Sequence, residues 1–290
     1  MRRISDIEIF ELGEGKRESS SPWSSTILIL RLTTSDGIVG YGEAPTTLMT
    51  TSVREQMKEM SRIFKGKDPE SINANMMEAY KNSFYMPVSV ETTAAVSAFE
   101  IASWDIVGKM YKMPVYAMLG GKVRDKVRVY ANGWYSGCTT PEQFAKKAGA
   151  IRKTGITAVK FDPFRDSYDT IDDAHARRAG KVVAAVKGVS KDMDALIEFH
   201  GRFSPESGIR AAKALEPLKP LFIEEPVHPD QFEGLQRLRE TVSTPIALGE
   251  RVLNKNLFLK YFIDKSIDII QPDLTNFGTL SMRPCLSIHP

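Results

Sequence analysis

The feature that most constrains the fold is a repeated alternation of short apolar segments with amphipathic segments after Arg124. The apolar segments have the length of strands, and the segments between them have the spacing of helices. The predicted strands are Val127–Ala131, Ala158–Phe161, Ala195–Phe199, Leu221–Ile223, Pro245–Leu248 and Ile267–Ile270. The predicted helices are Pro141–Thr154, Asp172–Val186, Pro205–Leu215, Gln231–Glu240 and Lys255–Ile263. Repeated β–α units predict a parallel sheet or a (β/α) barrel of the TIM type, in which function lies at the carboxyl ends of the strands.

The predicted barrel is incomplete. A full (β/α)₈ barrel needs about 250 residues, or about 31 for each unit. The segment from Val127 to Pro290 holds 164 residues, and six strands are predicted in it. The final segment, GTLSMRPCLSIHP, carries neither a seventh strand nor an amphipathic helix. We therefore expect about six of the eight strands and an atypical tail from about residue 279.

The first part of the chain has a different organisation. Three predicted strands, Ile4–Leu12, Ser25–Thr33 and Ile38–Tyr41, come first. Three predicted helices, Ser52–Phe64, Pro69–Asn82 and Ser89–Met110, follow them. The polar segment GKRESSSPWSS between the first two strands is typical of a loop. Strands followed by helices predict an α+β domain over residues 1–125, with the barrel domain over residues 126–290.

Composition excludes several classes of function. The 290 residues carry a net charge of only +3 and no dense Lys/Arg run, so no nucleic-acid partner is expected. No apolar stretch reaches the length of about 18 residues that a membrane span needs, and the start does not resemble a secretory signal. The two cysteines, Cys138 and Cys285, form neither a metal motif nor a disulfide framework. We expect a cytoplasmic protein.

Carboxylates stand at the ends of three successive predicted strands. Glu198, Glu224 and Glu250 are separated by 26 and 26 residues, about one β–α unit each. Parallel strands would bring the three side chains to one rim, where a hard cation such as Mg²⁺ relieves their repulsion. The alternative is a solvated acidic rim in which each glutamate pairs with Arg or Lys. Glu225 follows Glu224 and should point to the opposite side of the strand, so it is assigned a secondary role.

Two further strand ends carry groups suited to proton transfer. His200 lies two residues after Glu198 and faces the same way if the chain stays extended, which would place an acid or base beside the metal. Its alternative is a structural, hydrogen-bonded histidine. Lys160 and Asp162 flank Phe161 and share one face. Lys160 is predicted to bind a substrate carboxylate or to act as a base, and the alternative is a salt bridge at the rim.

The remaining candidates lie at the first and last predicted strands. Asn132, Trp134 and Tyr135 follow the first strand, where amide and aromatic groups suit a hydroxyl-rich ligand, although packing explains Trp134 equally well. Asp273 ends the sixth strand and could orient a histidine on a neighbouring strand. No Gly-rich phosphate loop is present, because Gly13-Glu14-Gly15 is too short for a dinucleotide motif.

Eight segments in order resemble the enolase superfamily, in its mandelate-racemase-like branch. They are VGYGEAP, AVSAFEIASWDIVGK, LGGK, VKFDPF, IEFHGR, FIEEPV, ALGER and IIQPDL, and the resemblance covers residues 1 to about 278. The segments YANGWY, KFDPF and the IE-x-HGRF pattern look like those of archaeal gluconate dehydratases, which are sugar-acid dehydratases. The resemblance implies an α+β capping domain on a modified (β/α) barrel, and Mg²⁺ as cofactor.

The resemblance also implies roles for residues. Glu198, Glu224 and Glu250 match the metal ligands, and His200 matches the acid that protonates the departing 3-hydroxyl. Lys160 matches the first lysine of the family's lysine motif, whereas Asp162 replaces the second and argues against two-base racemisation. The remaining implied roles are substrate binding by Asn132, Trp134, Tyr135, Asp162 and Arg251, and a catalytic role for Asp273.

The implied reaction is dehydration of gluconate or galactonate, through an enediolate, to a 2-keto-3-deoxy sugar acid. In the family, a histidine at the end of the seventh strand takes the α-proton, and the chain is expected to lack that position and to be a truncated, impaired form. The alternatives are another acid-sugar dehydratase, a cycloisomerase, or a non-catalytic fragment that retains metal binding or oligomer contacts. We expect a small-molecule sugar acid as partner, no membrane partner, and a homo-oligomer.

Overall fold

The computed structural model describes residues 2–13, 26–45, 49–82, 89–253 and 255–278. The chain divides into two compact units. The first runs to Asp125 and also includes Val252–Lys255 and the described residues from Pro272 onward. The second consists of Lys126–Arg251 and Asn256–Gln271. The predicted loop GKRESSSPWSS and the predicted tail from residue 279 lie outside the described residues.

The first unit combines an antiparallel sheet with helices, as predicted. The sheet has the order β1-β2-β3, with β1 at Ile4–Leu12, β2 at Ile27–Thr34 and β3 at Val39–Ala44. The helices are α1 at Thr50–Phe64, α2 at Ile72–Asn82, α3 at Val90–Met110 and α4 at Val115–Met118. Alternate residues of β2, namely Leu28, Leu30 and Leu32, are buried, because one face of this sheet covers the core.

Helix α3 packs unusually close to β3. The helix begins after Ser89, whose hydroxyl accepts a hydrogen bond from the Thr92 N–H, and it buries a run of small residues. A Cβ atom at Gly42 would overlap the carbonyl oxygen of Ala98, and one at Gly40 would overlap that of Ala102. The two glycines alternate along β3, and the two alanines lie one turn apart on α3. The backbones therefore meet because no side chain separates them.

The described residues after Pro272 also contact α3. The N–H of Gly278 donates to the Ser97 hydroxyl at 2.7 Å, and the Tyr80 hydroxyl donates to the carbonyl oxygen of Gly278 at 3.0 Å. The Thr93 hydroxyl donates to Asn276 Oδ1 at 3.3 Å. Ser97 and Thr93 are fully buried, so these late residues satisfy polar groups of the first unit's core.

The second unit is a five-stranded parallel sheet in the order β4-β5-β6-β7-β8, flanked in sequence by helices. The strands are Ala158–Phe161, Asp194–Glu198, Phe222–Glu224, Ile246–Leu248 and Ile269–Ile270. The helices are α5 at Pro141–Lys153, α6 at Asp173–Lys187, α7 at Pro205–Leu215, α8 at Phe232–Thr241 and α9 at Lys255–Asp264. Ala158, Leu196, Phe222 and Ala247, from four successive strands, form one buried cluster. Such layers fill the interior of a (β/α) barrel.

One predicted strand is wrong. Val127–Ala131 contributes only a single bridge, from Ala131 to Val159, so the described part of the unit has five strands rather than six. Val127 and Val129 are 78% and 62% exposed. An apolar pattern predicts a strand only where a surface exists to bury it, and here these side chains gain almost no burial.

Across the described residues, no helix is both long and apolar enough to cross a lipid bilayer.

Candidate active site

The centre of the site is a pair of glutamates on adjacent strands. Glu198 is the last residue of β5 and Glu224 the last of β6, and the two are register partners in the parallel ladder. Both side chains are almost completely buried. Because side chains at paired positions point to the same face of a sheet, the sequence β5–α7–β6 brings two carboxylates together at the carboxyl end of the barrel.

Lys160 on β4 lies between these two carboxylates. Its Nζ is 2.6 Å from Glu198 Oε2 and 2.7 Å from Glu224 Oε1, so Lys160 forms salt bridges here, and its role toward a substrate stays a prediction. Burial lowers the pKa of Lys160, but the charges of Glu198 and Glu224 outweigh it and raise that pKa above its usual range. Burial, and then the charge of Glu198, raises the pKa of Glu224 to about 7 against the effect of Lys160.

Glu250 does not occupy the equivalent position on β7. That strand ends at Leu248, and the register partner of Glu224 on β7 is Ala247. Glu250 instead lies in the turn that follows and accepts a hydrogen bond from Arg251 Nη1 at 2.7 Å. Equal spacing in sequence therefore did not give equal register, because the lengths of helix and loop differ between successive units.

The buried pair has the chemistry of a cation site. Glu224 Oε2 is buried and accepts no hydrogen bond. A carboxylate oxygen without a donor is costly in the protein interior, and a hard cation such as Mg²⁺ is a suitable partner for it. As arranged, no group of three or more His, Cys, Asp or Glu side chains among the described residues could hold a metal ion. The site of three glutamates stays a prediction.

Glu225, which was assigned a secondary role from the sequence, is a buried member of an ion pair. Its side chain is fully buried and pairs with Arg251, and its backbone has a left-handed φ of 44°. Burial raises the pKa of Glu225 to about 8, although the charge of Arg251 opposes this shift. Arg251, expected to bind substrate, thus contacts both Glu225 and Glu250. In the sequence, the pair of adjacent glutamates before Pro226 was the signal that could have indicated a buried carboxylate here.

His200 reaches the site by a turn, not by an extended strand. The condition of an extended chain is not met, because β5 ends at Glu198 and His200 has a φ of 55°. The N–H of His200 donates to Glu198 Oε1 at 2.8 Å, and this contact holds the turn. The imidazole Nδ1 lies 3.1 Å from Asp162 Oδ2. His200 still lies beside Glu198, but for a reason other than strand periodicity.

Asp162 is bound from three sides. It accepts hydrogen bonds from Arg202 Nη2 and from the N–H of Phe164, both at 2.8 Å, in addition to its contact with His200. Its side chain is 10% exposed. The predicted substrate-binding carboxylate is therefore placed to fix the orientation of the His200 ring.

The candidates after Ala131 contact neighbouring residues in the structure, and their binding of a substrate stays a prediction. Asn132 is exposed, and its Oδ1 accepts from the Gly133 N–H at 2.9 Å. Trp134 Nε1 donates to the carbonyl oxygen of Lys160 at 3.0 Å. The rings of Trp134, Tyr135, Phe144 and Phe161 form a cluster. Burial, with a contribution from the charge of Asp162, raises the pKa of Tyr135.

Asp273 lies in the first unit. Its Oδ1 accepts hydrogen bonds from the N–H and the hydroxyl of Thr275, at 2.9 and 2.7 Å. The carboxylate therefore stabilises the turn that leads to Gly278, and the structure does not test its predicted role in orienting a histidine.

A cavity of about 220 Å³ with both polar and apolar lining lies next to the turn that carries His200. Its walls include hydrogen-bonding side chains that were not singled out in the sequence; they are Tyr168, Asp169, Arg202, Ser204, His228 and Gln231.

Two parts of the chain match known protein families, and the whole chain is similar to known proteins. Residues 20–120 match the family "Mandelate racemase / muconate lactonizing enzyme, N-terminal domain", and residues 143–286 match the family "Enolase C-terminal domain-like". The chain is 50% identical over 277 residues to a D-gluconate/D-galactonate dehydratase of Picrophilus torridus, covering 95% of this chain and 71% of the relative. It is 42% identical over 279 residues to a D-gluconate dehydratase of Thermoproteus tenax, covering 96% of this chain and 56% of the relative. The crystal structure of a dehydratase-like protein from Mesorhizobium loti aligns with a TM-score of 0.88 and 32% identity, covering 95% and 73% of the two chains.

Proposed function

Because this chain belongs to the enolase superfamily, in the branch of mandelate racemase and muconate lactonizing enzyme, we propose that it is a Mg²⁺-dependent sugar-acid dehydratase. Its substrate is gluconate or galactonate, and its product is the 2-keto-3-deoxy sugar acid. The observation that carries the proposal is the buried Glu198–Glu224 pair with the oriented His200 beside it. The chain covers 71% and 56% of the two named relatives, so the activity is inferred from this site and from their names.

Glu198 and Glu224, with Glu250 as the third ligand, would hold the cation. Bound Mg²⁺ supplies positive charge that polarises the substrate carboxylate and makes the neighbouring α-proton more acidic. Lys160 adds a second positive charge at the same place. The carboxylate end of the sugar acid is thereby fixed at the carboxyl ends of β4, β5 and β6.

His200 provides the proton for the leaving hydroxyl. When its Nδ1–H donates to Asp162, Nε2 is the ring atom that gives a proton to the 3-hydroxyl, which departs as water. Loss of the C2 proton and the C3 hydroxyl leaves an enol, and its tautomer is the 2-keto-3-deoxy acid. Arg202 holds Asp162 and, through it, the direction in which the imidazole points.

The cavity beside Gly201 and Arg202 suits the other end of the substrate. A sugar acid carries several hydroxyl groups, and this cavity offers both donors and acceptors to them. The same observation supports a polyhydroxylated acid over an aromatic or aliphatic one. We also propose that the protein is a homo-oligomer, as expected from the sequence.

The proposal is tested by incubating this chain, and a longer form that carries the seventh-strand histidine, with gluconate or galactonate, in Mg²⁺ or in EDTA, and quantifying the 2-keto-3-deoxy acid. We expect product only with Mg²⁺ and mainly from the longer form, and a loss of about 10²–10⁴-fold in the His200→Asn variant of that form. Exchange of the α-proton with solvent deuterium should survive in part in that variant, because the seventh-strand histidine, not His200, removes this proton. His175→Asn, which changes an exposed histidine on α6, is the matched control and should keep the wild-type rate.

Two results would contradict the proposal. Product formation at the wild-type rate by His200→Asn would remove this residue from the reaction. Mg²⁺-dependent binding of gluconate without any product, measured by calorimetry, would support the non-catalytic alternative instead.

Asp162→Asn tests the orienting role separately. An asparagine can present an N–H where the aspartate presents an oxygen, so the imidazole no longer donates from Nδ1 to that position. We expect kcat to fall by up to about 10²-fold with little change in KM, because misplacement of a reacting group acts on the chemical step. A changed ¹⁵N shift of the His200 ring nitrogens would show the altered tautomer. Unchanged shifts and unchanged kcat would contradict the role.

A further inference from the structure

Lys160 neutralises two buried carboxylates with a single ammonium group. Its side chain is 8% exposed, and those of Glu198 and Glu224 are 2% and 3% exposed. The three residues lie on the neighbouring strands β4, β5 and β6. Without the ammonium group, two negative charges would be adjacent in the interior with no positive partner, which is among the most costly arrangements in a protein.

The ammonium group binds the same oxygens that a cation would need. Glu198 Oε1 accepts from the His200 N–H, which leaves Oε2 for Lys160. Glu224 Oε1 contacts the ammonium group of Lys160, whereas Glu224 Oε2 is buried and has no hydrogen-bond donor. A divalent cation shared by both glutamates can bind Oε2 of Glu224, which has no donor, but on Glu198 it meets the oxygen that Lys160 contacts, because Oε1 already accepts from the His200 N–H.

We propose that Lys160 is the built-in counter-cation of the cation-free site, and that a divalent cation displaces its Nζ from Glu198 and Glu224. This inference rests on the proposed function, because it takes Mg²⁺ as the cation. Displacement has a consequence for the substrate: the released ammonium group becomes a positive charge next to the bound cation. The carboxylate of the sugar acid then meets two positive groups that were not both accessible before, so cation and substrate bind cooperatively.

The first test compares wild type with Lys160→Met, which keeps a long apolar side chain but removes the charge. In EDTA, Lys160→Met should have a lower Tm than wild type, because two buried carboxylates lose their partner. Mg²⁺ should restore that Tm, and calorimetry should show Mg²⁺ binding about tenfold tighter or more than to wild type, since close charges interact strongly in a partly buried site. Lys153→Met, on the exposed side of α5, is the matched control and should change neither quantity.

A second measurement needs no variant. Acetylation of lysines in the wild-type protein, quantified by mass spectrometry with and without Mg²⁺, should show Lys160 becoming more reactive on Mg²⁺ addition while Lys153 does not change. This measurement decides the question if Lys160→Met does not fold even with Mg²⁺. Folding of that variant only when Mg²⁺ is present supports the inference.

The outcomes separate this inference from the proposed function. Mg²⁺ binding with equal affinity in wild type and Lys160→Met, together with unchanged acetylation of Lys160, would overturn the displacement but leave the Mg²⁺ site intact. No Mg²⁺ binding to wild type at all would overturn both. Equal gluconate affinity with and without Mg²⁺, despite Mg²⁺ binding, would overturn the cooperative consequence.

Discussion

The close approach of β3 to α3 can be tested with one added methyl group. Gly42→Ala places a Cβ against the carbonyl oxygen and carbonyl carbon of Ala98 and near the backbone nitrogen of Ala102. These are backbone atoms in the middle of a 21-residue helix, so they cannot rotate away as the end of a side chain could. Either the helix moves away from the sheet or the strand does.

The size of the destabilisation depends on which atoms the new methyl group contacts. Inserting a methylene or methyl group into a packed core costs about 1–3 kcal/mol, and a contact made only to backbone belongs at the upper end, about 2–3 kcal/mol. The matched control is Gly149→Ala within α5, where the nearest atom to the new Cβ is Val189 Cγ1 at 3.8 Å. That contact is an ordinary one, and replacing a glycine inside a helix by alanine stabilises by about 0.5–1 kcal/mol. The same chemical change should therefore have opposite signs at the two positions.

The assay is urea unfolding followed by circular dichroism, together with hydrogen exchange resolved by peptide. Gly42→Ala should lower the unfolding midpoint and increase exchange in peptides of β3 and α3, whereas Gly149→Ala should raise the midpoint slightly. A Gly42→Ala variant as stable as wild type would refute the reasoning, because it would mean that β3 and α3 are farther apart than the structure shows.

Three further predictions concern the second unit. Glu224→Gln should weaken Mg²⁺ binding strongly in calorimetry, because one anionic ligand becomes neutral. Thr140→Ala should destabilise by about 1 kcal/mol in urea unfolding, because Thr140 and Gln143 form a capping box at the start of α5. Burial raises the pKa of the Cys138 thiol, so less thiolate is present at a given pH. Iodoacetamide should therefore alkylate Cys138 in the folded protein more slowly than a cysteine in an unfolded peptide. The rise of the alkylation rate with pH should also occur at higher pH in the protein than in the peptide.

For each of these three predictions, one result would contradict it. Unchanged Mg²⁺ affinity in Glu224→Gln would remove that residue from the cation site. Wild-type stability of Thr140→Ala would mean that the capping box contributes nothing measurable. If mass mapping shows that Cys138 is alkylated as fast as an unfolded peptide, the thiol is not protected.

Elements with a strong periodic pattern were predictable from the sequence. The structure reproduces β4 at Ala158–Phe161 and α7 at Pro205–Leu215 with the predicted bounds, because β4 is a short buried run and a Pro in the first turn marks the start of α7. The segment Val127–Ala131 has an equally apolar pattern but lacks a surface to bury it. The local pattern shows which side chains a segment could bury. Whether the segment buries them depends on its tertiary contacts.

The proximity of Glu198 and Glu224 was predictable from the sequence, whereas the hydrogen bonds and ion pairs around them were not. Parallel topology was enough to bring Glu198 and Glu224 together. The left-handed turn at His200 was not, because it depends on a hydrogen bond between a side chain and a backbone N–H two residues on. Periodicity also cannot show which cation a carboxylate takes, so the Lys160 bridge became apparent only from distances.

The contact of Gly278 with α3 has a consequence for the order of folding during synthesis. The hydrogen bonds from Gly278 to Ser97 and from Tyr80 to Gly278 join residues 181 and 198 positions apart. When α3 leaves the ribosome, its buried Ser97 hydroxyl has no partner from this segment, and the whole second unit must be translated before that partner exists. Closing so long a loop is slow compared with forming the local contacts of β1, β2 and β3. During synthesis, the Ser97 and Tyr80 hydroxyls can therefore acquire these partners only after the second unit has been translated, so this contact completes the first unit last.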